Sequence, residues 1–301
     1  MAGGGDHIWF NGKFLESEEA NVNLMTHALH YGTGIFEGIR AYASDRGNAI
    51  FRLDDHLKRF FKSAKIYRMD IEYDFDEMRQ AIIDTVRKNG NRECYIRPLA
   101  FYANTVLGIY PRNPVIGVAI MTTKLDLYLG KKDGVRAKVS PWRKIDGSEL
   151  PSLAKGTGQY ANSFLATHDA RMDGYDEAIL LDTQGYLAEG PGENVFIVRD
   201  GKVFTPSLDS SVLGGITRDT VIELLGESNP VVEKRISLSE LISADEAFFA
   251  GTAAEIAPIL EIGGYRLDSA EDNSISLAVR KEYFDAVRGR GNTRDHWLTL
   301  V

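Results

Sequence analysis

Cysteine is almost absent from this 301-residue chain. Its one thiol, Cys94, has no partner for an intrachain disulfide, which fits a reducing compartment. Positive charge is in deficit: 35 lysines and arginines face 43 aspartates and glutamates, for a formal net charge of −8. That sign argues against general binding to nucleic acid or to anionic membranes. No apolar run approaches the length of a membrane span, and Met1 to Asp6 carries neither the basic nor the apolar part of a secretory signal, so a cytoplasmic protein is expected. His27 and His30 lie i, i+3 on a predicted helix with no third ligand at a sensible spacing; they read as structural, and no metal is indicated. Internal repeats and low-complexity tracts are also missing.

The length and an ordinary hydrophobic share of 44% suggest two domains. His7 to Phe14 reads as a hairpin about Asn11-Gly12, and Ile39–Tyr42 with Ala49–Arg52 as a second strand pair about Gly47-Asn48. Asp54 or Asp55 is placed to cap a helix reaching about Tyr67, with Leu57, Phe60, Phe61 and Ala64 on its apolar face. A helix follows from Phe75 to Asn89, stopped by Gly90. Cys94–Tyr102 alternates as a strand with Tyr95, Arg97, Leu99 and Phe101 on one side, and Val115–Thr122 is apolar enough to be central. Residues 123–134 read as the interdomain loop, dividing a smaller N-terminal α/β domain (1–122) from a larger C-terminal domain (135–301). In the second part the predicted strands are Val135–Ser140, Glu177–Asp182, Tyr186–Glu189, Asn194–Val198, Lys202–Thr205, Val231–Lys234 and Ala247–Ala250. Helices are predicted after Lys155, with Tyr160, Ala161, Phe164 and Leu165, after Gly214-Gly215, from Ser237 with capping-box spacing to Glu240, and over Ile275–Val287. Hairpins outnumber βαβ units, so the class is α+β. The arginine-rich stretch Arg288 to Arg294 reads as a solvated terminus.

Five stretches invite a chemical reading. Lys155 stands among small and glycine residues, Ser152 to Gly158, where a loop becomes a helix. A desolvated lysine there could form a Schiff base, although a solvated lysine beside a flexible turn is the more common case. Gly214-Gly215-Ile216-Thr217 opens a helix, and Gly251-Thr252-Ala253-Ala254-Glu255 follows a buried strand; either is an ordinary helix start or turn, and both also suit a phosphate. Leu187 to Phe196 places Glu189 and Glu193 in apolar surroundings. Glu193 reads as a surface turn, whereas Glu189, ending a strand beside two glycines, needs a buried partner such as a protonated pyridine nitrogen. Tyr31 to Arg40 is dense in glycine, but its third glycine falls one residue late for a dinucleotide loop, and a turn lining a pocket fits better.

In this order, His27-Ala28-Leu29-His30-Tyr31-Gly32, Phe36-Glu37-Gly38-Ile39-Arg40, Tyr95-Ile96-Arg97-Pro98-Leu99, the Lys155 segment, Glu189-Gly190-Pro191-Gly192-Glu193-Asn194, Gly215-Ile216-Thr217-Arg218 and Gly251-Thr252-Ala253-Ala254-Glu255 form a set. The set resembles the class IV aminotransferases, the fold-type-IV pyridoxal-phosphate (PLP) enzymes of D-amino acid aminotransferase-like fold, and within them the branched-chain amino acid aminotransferases. The resemblance runs from the Trp9-Phe10-Asn11-Gly12 hairpin to about Ile259. It implies that the C-terminal domain binds PLP, that Lys155 is the Schiff-base lysine and proton carrier, that Glu189 pairs with the pyridine nitrogen, and that Tyr160 bonds the ring hydroxyl oxygen. Arg59, Ile216, Thr217 and Thr252 would hold the phosphate. Helical periodicity by itself sets Arg59 off the apolar face with Ser63 and Ile66, as a solvated residue.

The same resemblance implies a substrate pocket of Phe36, Gly38, Tyr95, Arg97, Thr252, Ala253 and Tyr128, completed by Tyr31, Leu107 and Ile109 of a partner subunit, hence a homodimer at least. Arg97 would receive the side-chain carboxylate of glutamate or 2-oxoglutarate, and the Thr252 and Ala253 amides the α-carboxylate. The implied reaction moves the amino group between L-leucine, isoleucine or valine and 2-oxoglutarate, in branched-chain amino acid biosynthesis or as the first step of degradation. The rival outcomes are a D-amino acid or (R)-amine transaminase, an aminodeoxychorismate lyase-like enzyme, or a PLP-fold binding protein without catalysis. Two positions depart from the family pattern: Leu125 stands near where some relatives carry tryptophan, and Gly214 replaces a common proline. The first bears on side-chain preference; the second loosens a helix entry.

Overall fold

The computed structural model describes residues 5–90, 93–124, 129, 133–226, 228–291 and 294–301. The chain forms two compact units, Met1–Asp126 with Ala154–Gln159 and Ala286–Val301, and Leu127–Leu153 with Tyr160–Asp285. Of the expected interdomain loop, Leu125 and Tyr128 lie outside the described residues.

The first unit begins with the hairpin β1 (His7–Phe10) and β2 (Lys13–Glu16). Asn11 and Gly12 take φ of 46° and 84°, the left-handed values that a two-residue turn of this twist demands and that Asn-Gly tolerates. Next come α1 (His27–Tyr31), β3 (Gly34–Phe36), β4 (Ile39–Ser44) and β5 (Gly47–Phe51). The β4–β5 turn falls at Asp45-Arg46, two residues before the Gly47-Asn48 expected from sequence, because Ser44 already pairs with Gly47. In α2 (Leu53–Ile66), Arg52 with φ of 50° occupies the N-cap, and Asp54 and Asp55 sit in the first turn, where they meet the helix dipole instead of capping it. Leu57, Phe60 and Ala64 are buried as predicted, and Phe61 packs against them. In α3 (Phe75–Lys88), Asp74 and Glu77 satisfy each other's backbone in a capping box. Asp74→Ala is therefore expected to cost about 1 kcal/mol, read from the urea midpoint. The long strands β6 (Cys94–Tyr102) and β7 (Ile116–Thr123) close this part.

The second unit contains β8 (Val135–Val139), α4 (Tyr160–Met172), β9 (Glu177–Ile179), β10 (Asn194–Arg199), β11 (Lys202–Thr205), α5 (Ile216–Leu225), β12 (Val231–Glu233), α6 (Leu238–Ile242), β13 (Glu246–Gly251), β14 (Glu255–Ile262), β15 (Tyr265–Arg266) and all but the last two residues of α7 (Ile275–Val287). The capping box of Ser237 and Glu240 is present at α6. Tyr186–Glu189 is not a ladder strand; it is tied by single bridges, Leu187 to Leu181 and Tyr186 to Ser237. The buried stripe of α4 is Ser163, Ala166 and Ala170, while Phe164 and Leu165 are exposed, so its larger apolar residues do not mark its inner face. Small residues there let α4 approach β9 closely, as Ala166 and Ala170 pack on Ala178 and Leu180.

The last strand, β16 (Leu298–Leu300), belongs to the first unit. The sheet order in that unit is β16-β5-β4-β6-β7-β1-β2, with β3 also on β6, and every pairing is antiparallel. In the second unit the order is β12-β11-β10-β13-β14-β8-β9, with β15 on β14, and it mixes parallel and antiparallel pairs. The result is an α+β protein. In the arginine-rich stretch Arg290 and Arg294 are exposed, Arg290 pairing with Asp45, but it does not end the fold: beyond it Trp297 is fully buried against Phe51 and β16 extends the sheet edge. One buried aromatic outweighs the exposed arginines before it. Burial pushes the Cys94 thiol up to about 12, which removes it as a nucleophile. Among the described residues, no helix is long and apolar enough to cross a membrane, and no group of three acidic, histidine or cysteine side chains is placed for a metal.

Candidate active site

In the first unit, Lys155 is held by its backbone. Its N–H donates to Ser63 Oγ at 3.1 Å and its carbonyl accepts from the Phe36 N–H at 3.0 Å, while Gly156 bridges Ile35. The glycines flanking it are required by space. A Cβ on Gly156 would lie 2.0 Å from the Tyr67 hydroxyl, and one on Gly32, across from Gly158, 2.8 Å from the Gly158 Cα. Thr157 Oγ1 accepts from the Gly34 N–H at 3.1 Å and donates to the Gly32 carbonyl at 2.9 Å, fastening the segment to β3. Burial first, and the nearby Arg59 guanidinium second, bring the Lys155 amine down to about 8, partly opposed by Glu37. The amine lies 5.1 Å from the Phe36 ring centroid.

Arg59 is buried, not solvated. Its Nε and Nη2 donate to the two oxygens of Glu37 at 2.7 and 2.8 Å, and Glu37 also meets His56 Nδ1 at 2.7 Å. Burial works to raise the Glu37 carboxyl, but Arg59 and His56 outweigh it and hold it well below the usual carboxylate range. Burial holds His56 below its ordinary value despite the carboxylate. Sequence reasoning missed Glu37 and His56 as members of this cluster. The available signal was the stripe His56, Arg59, Ser63 on α2, at i, i+3 and i+7, which is polar yet regular.

On β6, Arg97 Nη2 donates to the Tyr95 hydroxyl at 2.9 Å, and its guanidinium lies 4.4 Å from the Phe36 centroid and 5.1 Å from that of Tyr95. Arg97 Nε is buried and has no hydrogen-bond partner among the described residues, so the site holds a donor suited to an incoming anion. Gly38 leaves room for Tyr95: an added Cβ would stand 2.1 Å from the Tyr95 hydroxyl. Gly38→Ala is expected to destabilise the protein by about 1–3 kcal/mol in chemical unfolding. Combining it with Tyr95→Ala should recover most of the added cost, since the clash is with that ring. Tyr31, Leu107 and Ile109 are exposed and gathered by local bonds, Gly108 N–H to Tyr31 hydroxyl at 3.2 Å and His27 Nε2 to the Ile109 carbonyl at 3.2 Å. His27, buried with Nδ1 on Thr33 Oγ1 at 2.7 Å, thus anchors a loop.

In the second unit, Glu189 and Glu193 are both buried, so Glu193 is not a surface turn residue; it folds back so that its carboxylate accepts from the Gly192 N–H at 3.1 Å. Glu189 Oε1 pairs with Lys144 Nζ at 2.6 Å, and Oε2 accepts from the Leu213 N–H at 2.9 Å and Asn194 Nδ2 at 3.2 Å. Lys144 was not named from sequence, and Asn194 only as the end of the Glu189-to-Asn194 motif, without a role. Gly215, the N-cap of α5, allows Asn194 its place, since a Cβ there would fall 2.0 Å from Asn194 Oδ1. Gly215 makes no side-chain cap, and α5 opens with Ile216 and the buried Thr217. Thr252 and Ala253 lie in the turn joining β13 to β14, where Glu255 takes φ of 56°. Tyr160 opens α4. The substrate candidate Tyr128 lies outside the described residues.

The model of the amino-transferase class IV family matches residues 34–262. The chain belongs to that family. Among relatives of this class IV aminotransferase, the branched-chain-amino-acid aminotransferase of Pseudomonas aeruginosa is 40% identical over 298 residues, covering 98% of this chain and 97% of its own. A branched-chain aminotransferase from Thermoproteus uzoniensis, solved with norvaline, has a TM-score of 0.94 at 43% identity and covers 99% of both chains. The T.th. branched-chain amino acid aminotransferase, complexed with N-(5′-phosphopyridoxyl)-L-glutamate, has a TM-score of 0.92 at 42% identity, covering 100% of this chain and 99% of that one. The class IV aminotransferase fold of the chain follows from these matches.

Proposed function

We propose that this class IV aminotransferase uses PLP to move the amino group between L-leucine, isoleucine or valine and 2-oxoglutarate. The observation that carries the reading is the Lys155 amine, brought down to about 8 within a cluster of Phe36, Arg59, Tyr95 and Arg97. The branched-chain names of the relatives, and the phosphopyridoxyl-glutamate ligand of one of them, support it.

Bound PLP supplies an electron sink for the negative charge that develops at the substrate α-carbon. Burial and the Arg59 charge lower the Lys155 amine from its ordinary range, which raises the unprotonated share that can attack a carbonyl and carry a proton. The Glu189 carboxylate is the acceptor for the ring N–H. Tyr160 serves the ring hydroxyl oxygen. Arg59, Ile216, Thr217 and Thr252 are assigned to the phosphate. For the substrate, the Phe36 and Tyr95 rings with Gly38 present an apolar surface. The Arg97 Nε supplies the charge for a second carboxylate, and Thr252 and Ala253 serve the α-carboxylate. One pocket then takes an aliphatic chain in one half-reaction and a carboxylate in the other. The exposed Tyr31, Leu107 and Ile109 are assigned to a second subunit's pocket, which makes the enzyme at least a homodimer; Tyr128 is assigned to substrate.

The test is the half-reaction of the PLP form with separate donors, followed by absorbance. L-leucine, L-isoleucine and L-valine should discharge the visible band and 2-oxoglutarate should restore it. Preference for D-amino acids or (R)-amines, or release of pyruvate, would overturn the substrate assignment.

A further inference from the structure

Lys144 belongs to none of the motifs that mark the family, yet it makes the shortest contact to Glu189, with Nζ 2.6 Å from Oε1. The side chains are only 11% and 7% exposed, so this pair is shielded from solvent, unlike a surface salt bridge. Its two ends are fastened to the same stretch of backbone. The Lys144 N–H donates to the Leu181 carbonyl at 2.8 Å, and the Leu180 N–H donates to the Glu189 carbonyl at 2.9 Å. The ammonium takes one carboxylate oxygen while two neutral donors, the Leu213 amide and the Asn194 amide group, take the other. Three donors on two oxygens fix the plane of the carboxylate and prevent its rotation. One acceptor direction then remains on Oε1.

We propose that Lys144 is the positioning residue of Glu189: it orients the carboxylate toward the cofactor's ring nitrogen and holds a fixed positive charge beside it. The role rests on the reading of Glu189 as the ring-nitrogen partner. Physically, a fixed ammonium beside that carboxylate is a charge close to the cofactor's ring, so removing it shifts the cofactor's own titration. A compact ammonium does this at one oxygen without covering the other, whereas a neutral amide or thioether supplies no such charge.

The experiment compares wild-type, Lys144→Met, Lys144→Arg, Glu189→Gln and the double Lys144→Met/Glu189→Gln protein, each loaded with PLP. Two quantities are measured: the pH titration of the cofactor's visible absorbance, and PLP affinity by fluorescence. Lys144→Met should displace the titration midpoint and weaken PLP binding about tenfold, the scale of one charge-assisted hydrogen bond. Lys144→Arg should restore most of both. In the Glu189→Gln background, Lys144→Met should have no further effect, because its target is gone. A Lys144→Met protein that matches wild type in both quantities overturns the proposal, as does an equal effect in the Glu189→Gln background. If Glu189→Gln itself titrates like wild type, the reading of Glu189 falls first and the role of Lys144 with it. Should Lys144→Met fail to fold, Lys144→Gln takes its place in the same set.

Discussion

Lys155→Ala is expected to abolish transamination, by at least about 10³-fold, and to remove the visible absorbance of the PLP-loaded protein. No neighbouring group can substitute. Arg59 is engaged with Glu37 and stays charged, and Arg97 is likewise a permanent cation. A Lys155→Ala enzyme with wild-type turnover would refute the assignment. The same lysine has a measurable cost in the cofactor-free protein. Its folded value, about 8, lies below the ordinary 10.5, so the unfolded chain binds more protons between those limits and stability should rise with pH across that window. Below it the cost of burying the ammonium is present in full. Lys155→Met, which keeps the volume but not the charge, should show no such rise when urea midpoints are followed from pH 7 to about pH 11.

Glu37→Gln is expected to be the most destabilising of the conservative changes, at about 3–5 kcal/mol in urea unfolding at pH 7. The substitution keeps the shape of the side chain but leaves the Arg59 guanidinium buried without its counter-charge, and deprives His56 of its carboxylate. The pH dependence separates this from simple loss of packing. Because the folded carboxyl sits far below its ordinary range, the stabilisation is complete above the unfolded value, about 4.3, and declines as pH falls from there toward the folded value. The wild-type protein should therefore lose stability progressively under acid, and Glu37→Gln should lack that component. Parallel acid profiles for the two proteins would count against the buried cluster as described.

Glu37 also shows where sequence reasoning stops. It stands in Phe36-Glu37-Gly38-Ile39-Arg40, a stretch that carries the family resemblance, yet nothing local says that its partners are His56 and Arg59, nineteen and twenty-two positions on. Periodicity on α2 correctly buried Leu57, Phe60 and Ala64 and left Arg59 for solvent, since a helical wheel sorts residues by polarity and cannot see a buried carboxylate beside them. The same blindness affected α4. The residues named there from sequence, Tyr160, Ala161, Phe164 and Leu165, are not its buried stripe, because close approach to β9 selected Ser163, Ala166 and Ala170. At the C-terminus, a run of arginines masked Trp297 and a strand of three residues that completes a sheet edge.

What the sequence determined by itself is local or cumulative. The Asn11-Gly12 turn, the Ser237 capping box and the extents of β6 and α7 depend on residues a few positions apart, and their chemistry is readable in order. The ordered set of motifs from His27 to Glu255 likewise sufficed for the family. Only the tertiary structure decided which charges meet. Arg59 with Glu37 and His56, and Lys144 with Glu189, are pairings across long stretches of chain. Burial makes such pairings strong, and burial at a distance leaves no periodic trace in the residues that share it.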